Sequence, residues 1–335
     1  MSLFMRSLDE IPLNGKIAIY GASTTGKRVH ELVRSHRSDV SIVCYLDTYK
    51  SGSIGKLPIV ELSNIKQHLD EFDLILVASV HWPSICQSLR ERNISGFLVY
   101  DDVIHLPEYY GSMVLQEKTK HLALAVQYAR IVGGDIAEFG VAHGETAAIL
   151  SAAVAAQDAL SGNNRTRLLL FDSFEGLPEA LSRVDQDMPH VRSGAWKKGT
   201  FRVENEHDVI DRVLAGGIPK ERLDIYKGWF ESTLPTLPKE TRLAMLHIDC
   251  DLYQSTHEVL CYCLEHGYVA PGAIVCFDDW NATGADPNYG ERKAWADIIS
   301  QYNINYSDEG CYSWHGHKFI IHSYVSGSGQ VQNSK

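Results

Sequence analysis

The chain has 335 residues, of which 44% are hydrophobic and 22% charged, and its formal net charge is −11. This length exceeds that of one ordinary domain, so we expect two domains, each with enough apolar residues for a core of its own. The excess of carboxylates disfavours nonspecific binding to nucleic acid or to anionic membranes, because an acidic surface repels phosphate groups.

Compartment and redox state follow from the same inspection. The first ten residues, MSLFMRSLDE, lack the apolar segment of a secretory signal, and no apolar run elsewhere is long enough to span a bilayer. The seven cysteines form an odd set without a CxxC pair. We therefore expect a cytoplasmic protein whose thiols are free and mostly buried. The sequence is also compatible with a homo-oligomer.

The first predicted domain covers residues 1–107. Short apolar runs alternate with helical stretches and turns; the runs are KIAIY, VSIVCYL, DLILVAS and GFLVY. This rhythm predicts a small parallel sheet built from βαβ units. A polar stretch at 101–112 is the expected linker, and an amphipathic helix should follow from Val114 to Val132, ended by two glycines.

The second predicted domain covers residues 108–325, where the same rhythm restarts. Its strand-like runs are IAEFGV, RLLLFDSF, RLDIYKGWF, LAMLHIDCD and AIVCFDDW, and the last two runs, near INYS and HKFIIHSY, suggest an antiparallel hairpin. The predicted class is therefore α/β with two doubly wound Rossmann-like domains. Residues 326–335 are polar and glycine-rich, and we expect a disordered tail there.

A cofactor pocket is predicted where the first strand of this second domain turns into a helix. The turn contains Glu138, Gly140 and Gly144, and the next strand ends in Asp172 and Ser173. Glycines let the backbone approach a ligand, and an acid at the second strand end can accept hydrogen bonds from ribose hydroxyls. Asp172 could instead cap its own loop. Because the turn lacks a full GxGxxG, an adenosine ligand without a pyrophosphate, such as S-adenosylmethionine (SAM), is favoured over NAD.

A carboxylate cluster is the most informative feature of the sequence. Asp249 ends one apolar run, and Asp278 and Asp279 end the next, about 30 residues later. One strand-helix-strand crossover would bring all three to the same sheet edge. Mutually repelling acids indicate a cation between them, and hard oxygen ligands suit Mg²⁺ better than Zn²⁺. Asp251 is a supporting position; acids that only cap loops are the alternative.

At this point the chain resembles the macrocin O-methyltransferase family. The resemblance is carried by six segments in family order over roughly residues 115–322: EFGVAHGET, FDSFEGLPE, YKGWFESTLP, LHIDCDLYQST, PGAIVCFDDW and GERKAW. It implies a class I methyltransferase sheet, with SAM at Gly140 and Asp172 and Mg²⁺ on Asp249, Asp278 and Asp279. It also implies a small-molecule acceptor with neighbouring hydroxyls, such as a sugar or nucleotide sugar. The segment DQDMPHVRSGAWKKGT departs from the family pattern.

The predicted reaction is an in-line transfer of a methyl group to a hydroxyl, which requires positioning of the acceptor oxygen and removal of its proton. Asp249 is the first candidate for the proton acceptor. Histidines from loops are second candidates: His143, His190, His315 and His317. The long loop around 190–198, which contains Trp196, is expected to cover the site. Trp229 and Phe230 should lie near the cofactor or in the core.

The first domain contains a turn, GASTTGKR, that invites comparison with a phosphate-binding P-loop. Arg28 stands where a P-loop needs Ser or Thr, which disfavours an ATPase. With Asp47 ending the next run, the stretch resembles the N-terminal domain of bacterial sugar acetyltransferases, which implies a nucleotide-sugar site. A purely structural or dimerising module is the alternative.

The leading hypothesis is thus a Mg²⁺-dependent, SAM-dependent O-methyltransferase acting on a sugar hydroxyl. Two alternatives stay open: a catechol-like phenol as acceptor, and a nucleotide-sugar-binding scaffold without turnover.

Overall fold

The computed structural model describes residues 3–101, 113–162, 165–313 and 315–333. The chain forms two compact units, Met1–Tyr109 and Tyr110–Lys335. The domain boundary predicted at 107/108 and nearly all of the predicted linker lie outside the described residues. None of the helices in the described ranges has both the length and the apolar composition that a membrane span requires.

The first unit is a mainly parallel sheet with the order β3-β4-β2-β1-β5-β6. Its strands are β1 (Lys16–Tyr20), β2 (Ser41–Asp47), β3 (Gly52–Ile54), β4 (Leu57–Glu61), β5 (Leu74–Val77) and β6 (Phe97–Val99). Its helices are α1 (Thr24–His36) and α2 (Trp82–Glu91), with 3₁₀ turns at Leu8–Glu10, Leu62–Gln67 and Leu69–Glu71. The predicted βαβ rhythm is confirmed.

The segment after β2 differs from its expected turn-rich form. It contains β3 and β4, and β4 pairs in parallel with β2 while β3 runs antiparallel to β4. These two short strands extend the sheet at one edge because Ile59 and Val60 pair with Tyr45 and Leu46. Short edge strands of this kind carry a weak period-two signal that is easily taken for turns.

The turn between β1 and α1 is held by Asp47. Its Oδ2 accepts a hydrogen bond from the backbone N–H of Ala22 (3.2 Å), and its Oδ1 accepts one from that of Lys50 (3.1 Å). A Cβ on Gly26 would lie 1.8 Å from the carbonyl oxygen of Gly21, so the turn closes too tightly for any side chain there. The predicted strand, turn and helix are therefore present.

The second unit is one mixed sheet with the order β12-β13-β11-β10-β7-β8-β9, and β14 pairs with β13. Its strands are β7 (Asp135–Phe139), β8 (Leu168–Asp172), β9 (Leu223–Lys227), β10 (Leu243–Ile248), β11 (Val269–Phe277), β12 (Asn305–Tyr312), β13 (Gly316–Val325) and β14 (Val331–Asn333). Strands β7 to β11 are parallel, and β12 and β13 form the predicted antiparallel hairpin.

Helices cover this sheet. They are α3 (Met113–Val132), α4 (Glu145–Ser161), α5 (Arg183–Asp187), α6 (Pro189–Arg192), α7 (Glu206–Ala215), α8 (Phe230–Thr233), α9 (Tyr253–Glu265) and α10 (Gly290–Tyr302), with 3₁₀ turns at Lys220–Arg222 and Leu234–Thr236. The α/β class and the Rossmann-like architecture are confirmed. All residues of β10 are buried, as expected for a central strand covered on both faces.

Two expectations about irregular segments are wrong. The segment predicted as a long loop contains the short helices α5 and α6, because Ser182 accepts a hydrogen bond from the N–H of Asp185 and so starts a helical turn. The predicted disordered tail from residue 326 contains β14, whose residues 331–333 pair with 323–325 of β13. Backbone pairing to an available strand edge orders this polar segment.

Candidate functional site

A cavity of about 870 Å³ lies at the carboxyl ends of the parallel strands of the second unit. Gly140 follows β7, Asp172 ends β8 with Ser173 directly after it, Asp249 follows β10, and Asp279 lies just beyond β11. Side chains at the carboxyl ends of neighbouring parallel strands share one edge of the sheet, which is where α/β proteins bind ligands. Gly140, Asp172 and Ser173 of the predicted cofactor site therefore line one cavity together with the predicted acids.

The glycine turn at one end of the cavity is closed by Asp172. Its Oδ2 accepts hydrogen bonds from the N–H groups of Val141 (2.6 Å) and Ala142 (2.8 Å), and its Oδ1 accepts one from Phe174 (2.5 Å). Asp172 thus caps its own loop and also faces the cavity. Gly140 has φ +88°, and a Cβ there would lie 1.8 Å from the carbonyl oxygen of Asp249.

Glu138 and Gly144, which were predicted to bind the cofactor, are not among the residues that line the cavity. Glu138 is fully buried, accepts a hydrogen bond from Thr146 Oγ1, and lies 3.2 Å from His247 Nδ1 through its Oε1. Gly144 precedes α4 with φ +75°, where a Cβ would lie 2.8 Å from Val209. Both residues therefore pack against the protein interior next to the turn and not against the cavity.

Three carboxylates converge at the other end of the cavity. One oxygen each of Asp249, Asp251 and Asp279 lie within 4.8 Å of one another. Burial, followed by mutual repulsion, raises the pKa of Asp249 and Asp251 well above the usual range and that of Asp279 to about 7. Asp251 has φ +58°, a conformation costly for a non-glycine residue and often found at functional sites. Buried acids that repel one another suit an oxygen-liganded cation.

Asp278, predicted as a metal ligand, is paired differently. Its Oδ2 lies 2.8 Å from Lys118 Nζ, which reaches it from α3, and its Oδ1 lies 3.8 Å from His247 Nε2. Burial opposes ionisation of Asp278, but His247 and Lys118 outweigh burial and hold its pKa well below the usual range. Among the described residues, two groups could hold a metal ion: Asp249 with Asp251 and Asp279, and Asp249 with Glu138 and His247. Neither includes Asp278, and in the first group Asp251 occupies the place predicted for Asp278.

A buried line of charged groups connects the cofactor turn to the acids. His247, on β10, lies between Glu138 and Asp278. Burial lowers the pKa of His247, yet the two neighbouring carboxylates outweigh burial and raise it to about 10. The imidazolium thus offsets the negative charge of two carboxylates, the buried Glu138 and the cavity-lining Asp278.

Sequence reasoning missed Lys118, His247 and Glu291. Glu291 lies in the first turn of α10, is buried, and accepts a hydrogen bond from the N–H of Asp279 at 2.9 Å. Its segment, GERKAW, was one of the six that carry the family resemblance, so a signal for Glu291 existed. Lys118 gave none, because it lies 160 residues from Asp278 in the sequence.

The segment around Trp196, predicted to cover the site, contributes to the wall of the cavity. Trp196 and His190 line it and stack on each other, with ring centroids 4.6 Å apart. The segment is anchored by the buried Asp185, which accepts hydrogen bonds from the N–H groups of Tyr253 (2.7 Å) and Gln254 (3.1 Å) at the start of α9. A carboxylate at a helix N-terminus satisfies free donors and complements the helix dipole.

The remaining predicted side chains divide into two groups. His190 and His315 line the cavity, whereas His143 and His317 do not. Trp229 and Phe230 also line the cavity, and Phe230 packs edge-on against the core ring of Phe139 at 6.1 Å.

The model of the macrocin-O-methyltransferase (TylF) family matches residues 95–306. The chain belongs to this family. The six segments that carry the family resemblance lie between β7 and α10. They include the cavity residues Gly140, Asp172, Asp249 and Asp279.

Two relatives of the chain are named as O-methyltransferases. The chain is 31% identical over 180 residues to 8-demethyl-8-(2,3-dimethoxy-alpha-L-rhamnosyl)-tetracenomycin-C 4'-O-methyltransferase of Streptomyces olivaceus, a match covering 52% of the chain and 64% of the relative. It is 26% identical over 219 residues to mycinamicin III 3''-O-methyltransferase of Micromonospora griseorubida, covering 57% and 81%. The chain thus spans less than two thirds of the first relative's length.

Two solved structures share the fold. The O-methyltransferase NovP matches with a TM-score of 0.50 at 23% identity, covering 61% of this chain and 79% of NovP. The calicheamicin methyltransferase CalS11 matches with a TM-score of 0.50 at 22% identity and the same coverage of 61% and 79%. These likenesses support the methyltransferase fold of this family member.

Proposed function

We propose that the protein transfers a methyl group from SAM to a hydroxyl of a sugar or of a glycosylated small molecule, with Mg²⁺ at the acid cluster. The observation that carries this proposal is that Asp249, Asp251 and Asp279 converge in the cavity whose other end is formed by Gly140 and Asp172. A donor site and a cation site therefore share one space.

The residues present fit both groups. The cavity volume of about 870 Å³ is within the usual range for small-molecule sites and leaves room for a nucleoside and an acceptor. Buried carboxylates with raised pKa values are stabilised by a divalent cation, and carboxylate oxygens are the ligands Mg²⁺ prefers. When bound, SAM supplies an electrophilic methyl group and Mg²⁺ supplies positive charge that acidifies a hydroxyl.

The chain's own residues would then bind SAM and the cation and orient the acceptor. Gly140 and Asp172 would hold the adenosine, with Ser173 beside them and Trp229 adding apolar surface, since all four line the cavity. Asp249, Asp251 and Asp279 hold the cation. Asp278, the remaining acid of the predicted metal set, joins them only if its carboxylate separates from Lys118.

Proton removal falls to the acid cluster. Asp249 remains our first candidate for the proton acceptor, because its carboxylate lies at the cavity wall within the proposed cation site, where the acceptor hydroxyl would bind. His190 and His315 are second candidates, since both line the cavity. Trp196, stacked on His190, would exclude water from the reacting atoms.

The choice of acceptor class rests on the cavity wall and on the relatives. Polar side chains that suit sugar hydroxyls line it, namely Lys198, Gln254, Ser255, Glu258 and His315. The tetracenomycin relative is named for a substrate that carries a rhamnosyl group. Trp196 and Phe201 also line the cavity and favour a flat acceptor, so a catechol-like phenol is the second candidate.

Calorimetry and mass spectrometry test this function. We expect SAM and Mg²⁺ each to bind the full chain, and a mass gain of one methyl group on a nucleotide sugar or a glycosylated macrolide. Methylation of a catechol but of none of the sugars would replace the first acceptor class by the second. SAM binding without methylation of any acceptor would favour the scaffold alternative.

For the first unit we propose a nucleotide-sugar site, which would bring the acceptor to the same chain. The candidate place is a second cavity of about 760 Å³, which includes Lys27 of the predicted glycine turn but neither Gly21 nor Asp47. Its lining combines cationic side chains, one acid and apolar residues: Lys27, His30, Glu31, Arg34, Lys56 and Ile42 among them. Cationic side chains around apolar surface suit an anionic ligand with a flat base. Calorimetry with UDP-sugars against Arg34→Gln, where weaker binding is expected, tests the proposal.

A further inference from the structure

A second group of reactive side chains lies on the terminal hairpin and consists of Asp308, Cys311 and His317. Cys311 and His317 are directly paired across β12 and β13. Cys311 Sγ lies 3.2 Å from His317 Nδ1, and His317 Nε2 lies 2.7 Å from Asp308 Oδ1. None of the three lines the cavity described above.

Asp308 decides which ring nitrogen of His317 carries the proton. Burial opposes ionisation of Asp308, but hydrogen bonds from the Gly310 N–H and from His317 outweigh it and lower the pKa of its carboxyl. An ionised carboxylate only accepts hydrogen bonds, so Nε2 of His317 must donate to it. In the neutral ring, Nδ1 then carries a lone pair directed at Sγ. Nucleophile, base and orienting acid thus stand in the order used for activated thiols.

Aromatic rings hold the imidazole in this orientation. Trp280 stacks on His317 with centroids 5.0 Å apart, and the Phe319 ring lies 4.6 Å from it. His317 is 8% exposed, whereas Cys311 is exposed to solvent. The base is therefore fixed while the sulfur stays accessible.

The other thiols are in different surroundings. Five are buried: Cys44, Cys86, Cys250, Cys263 and Cys276. Burial raises the pKa of Cys263 and Cys276 to about 12, which keeps them protonated and unreactive. Cys261 is half-buried, and its sulfur lies 2.9 Å from the Tyr302 hydroxyl, which offers no base. Cys311 alone among the seven combines exposure with a histidine.

We propose that Cys311 is a modification site whose thiol reacts with low-molecular-weight disulfides. His317 Nδ1 takes the thiol proton, and the sulfur attacks one sulfur of the disulfide. That S–S bond breaks, and the departing thiolate takes the proton from His317 and leaves as a free thiol. The products are a mixed disulfide on Cys311 and one thiol, so the oxidation of Cys311 is balanced by reduction of half the reagent.

The adduct would form beside the acid cluster. The Asn281 side-chain nitrogen lies 3.9 Å from Cys311 Sγ, and Asn281 follows Asp279 by two residues. The backbone N–H of Asn281 donates to the carbonyl oxygen of His315, a cavity residue, at 2.9 Å. A group attached to Cys311 therefore contacts the loop that carries one of the three converging acids.

Reaction of the full chain with oxidised glutathione at neutral pH, followed by intact-mass measurement and peptide mapping, tests the proposal. We expect a single adduct on Cys311. Asp308→Asn should slow its formation about fivefold and His317→Gln about tenfold, because each weakens proton removal from the thiol. Cys261→Ser is the matched control and should react at the wild-type rate.

If the His317 variant fails to fold, the Asp308 variant still tests the proposal. The Asp308 side chain is 57% exposed, so its replacement does not disturb the core. An adduct on another cysteine would overturn the proposal. So would an Asp308→Asn variant that is folded by thermal melting and reacts as fast as the wild type.

Discussion

Lys118 and Asp278 form an ion pair across the wall of the candidate site, with Nζ and Oδ2 2.8 Å apart. Lys118 belongs to α3, which packs against β10 and β11, and it brings a positive charge to the edge where four aspartates meet. Burial opposes its charge, but Asp278 and Asp249 outweigh burial and raise its pKa. This one contact decides which carboxylates remain available to a cation.

The first prediction concerns divalent cation binding. Lys118→Gln releases Asp278 and removes a positive charge from the cluster, so we expect Mn²⁺ to bind at least about fivefold more tightly. Titration followed by electron paramagnetic resonance measures this without any turnover. The control is Lys120→Gln on the same helix, whose side chain is 63% exposed and should leave the affinity unchanged. Equal affinities in Lys118→Gln and wild type would contradict the assignment.

Asp249 provides the second prediction. Asp249→Ala should abolish methyl transfer, because it removes both a cation ligand and the proposed proton acceptor. SAM affinity should stay within a few-fold of the wild type, since the adenosine end of the cavity is built from other strands; calorimetry measures it. Glu309→Gln, an exposed acid on β12, is the control. Turnover of Asp249→Ala at near the wild-type rate without added metal would refute the mechanism.

Asp185 anchors the segment that covers the cavity, and its loss should affect stability. Asp185→Ala leaves two N–H groups at the start of α9 without their acceptor, which should lower the free energy of unfolding by about 2 kcal/mol. Urea unfolding measures the change. Asp187→Ala, in the same short helix but 61% exposed, should change it by less than about 0.5 kcal/mol. Similar losses for the two variants would show that the buried cap contributes nothing.

Gly140 offers a test of the close approach between two strand ends. In Gly140→Ala the added Cβ would lie 1.8 Å from the Asp249 carbonyl oxygen, and φ is +88°. We expect a loss of stability above about 2 kcal/mol, combining backbone strain with overpacking. Gly162→Ala separates the two causes: φ is +65° there but nothing lies within 4 Å, so about 1 kcal/mol is expected. Thermal unfolding measures both losses of stability. Equal losses in the two variants would show that the clash with Asp249 contributes nothing.

Much of the architecture could be read from the sequence, because it rests on local patterns. The apolar runs and glycine turns predicted β1, β2, β5 to β11 and the final hairpin, and the spacing between Asp249 and Asp278 predicted one crossover. That crossover is present, since Ile248 pairs with Phe277. The short strands β3, β4 and β14, which lie at or next to a sheet edge, were missed, because their ordering depends on a neighbouring strand rather than on their own residues.

The sequence by itself determined that acids and a glycine turn would meet at one sheet edge, since strand order and the direction of parallel strands follow from crossovers. Only the tertiary structure decided the partner of each acid. Asp278 forms an ion pair with Lys118, and Asp251 converges with Asp249 and Asp279. Glu138 is fully buried and does not line the cavity. These pairings depend on side-chain distances of a few ångströms between segments far apart in the chain, and neither spacing nor periodicity encodes such distances.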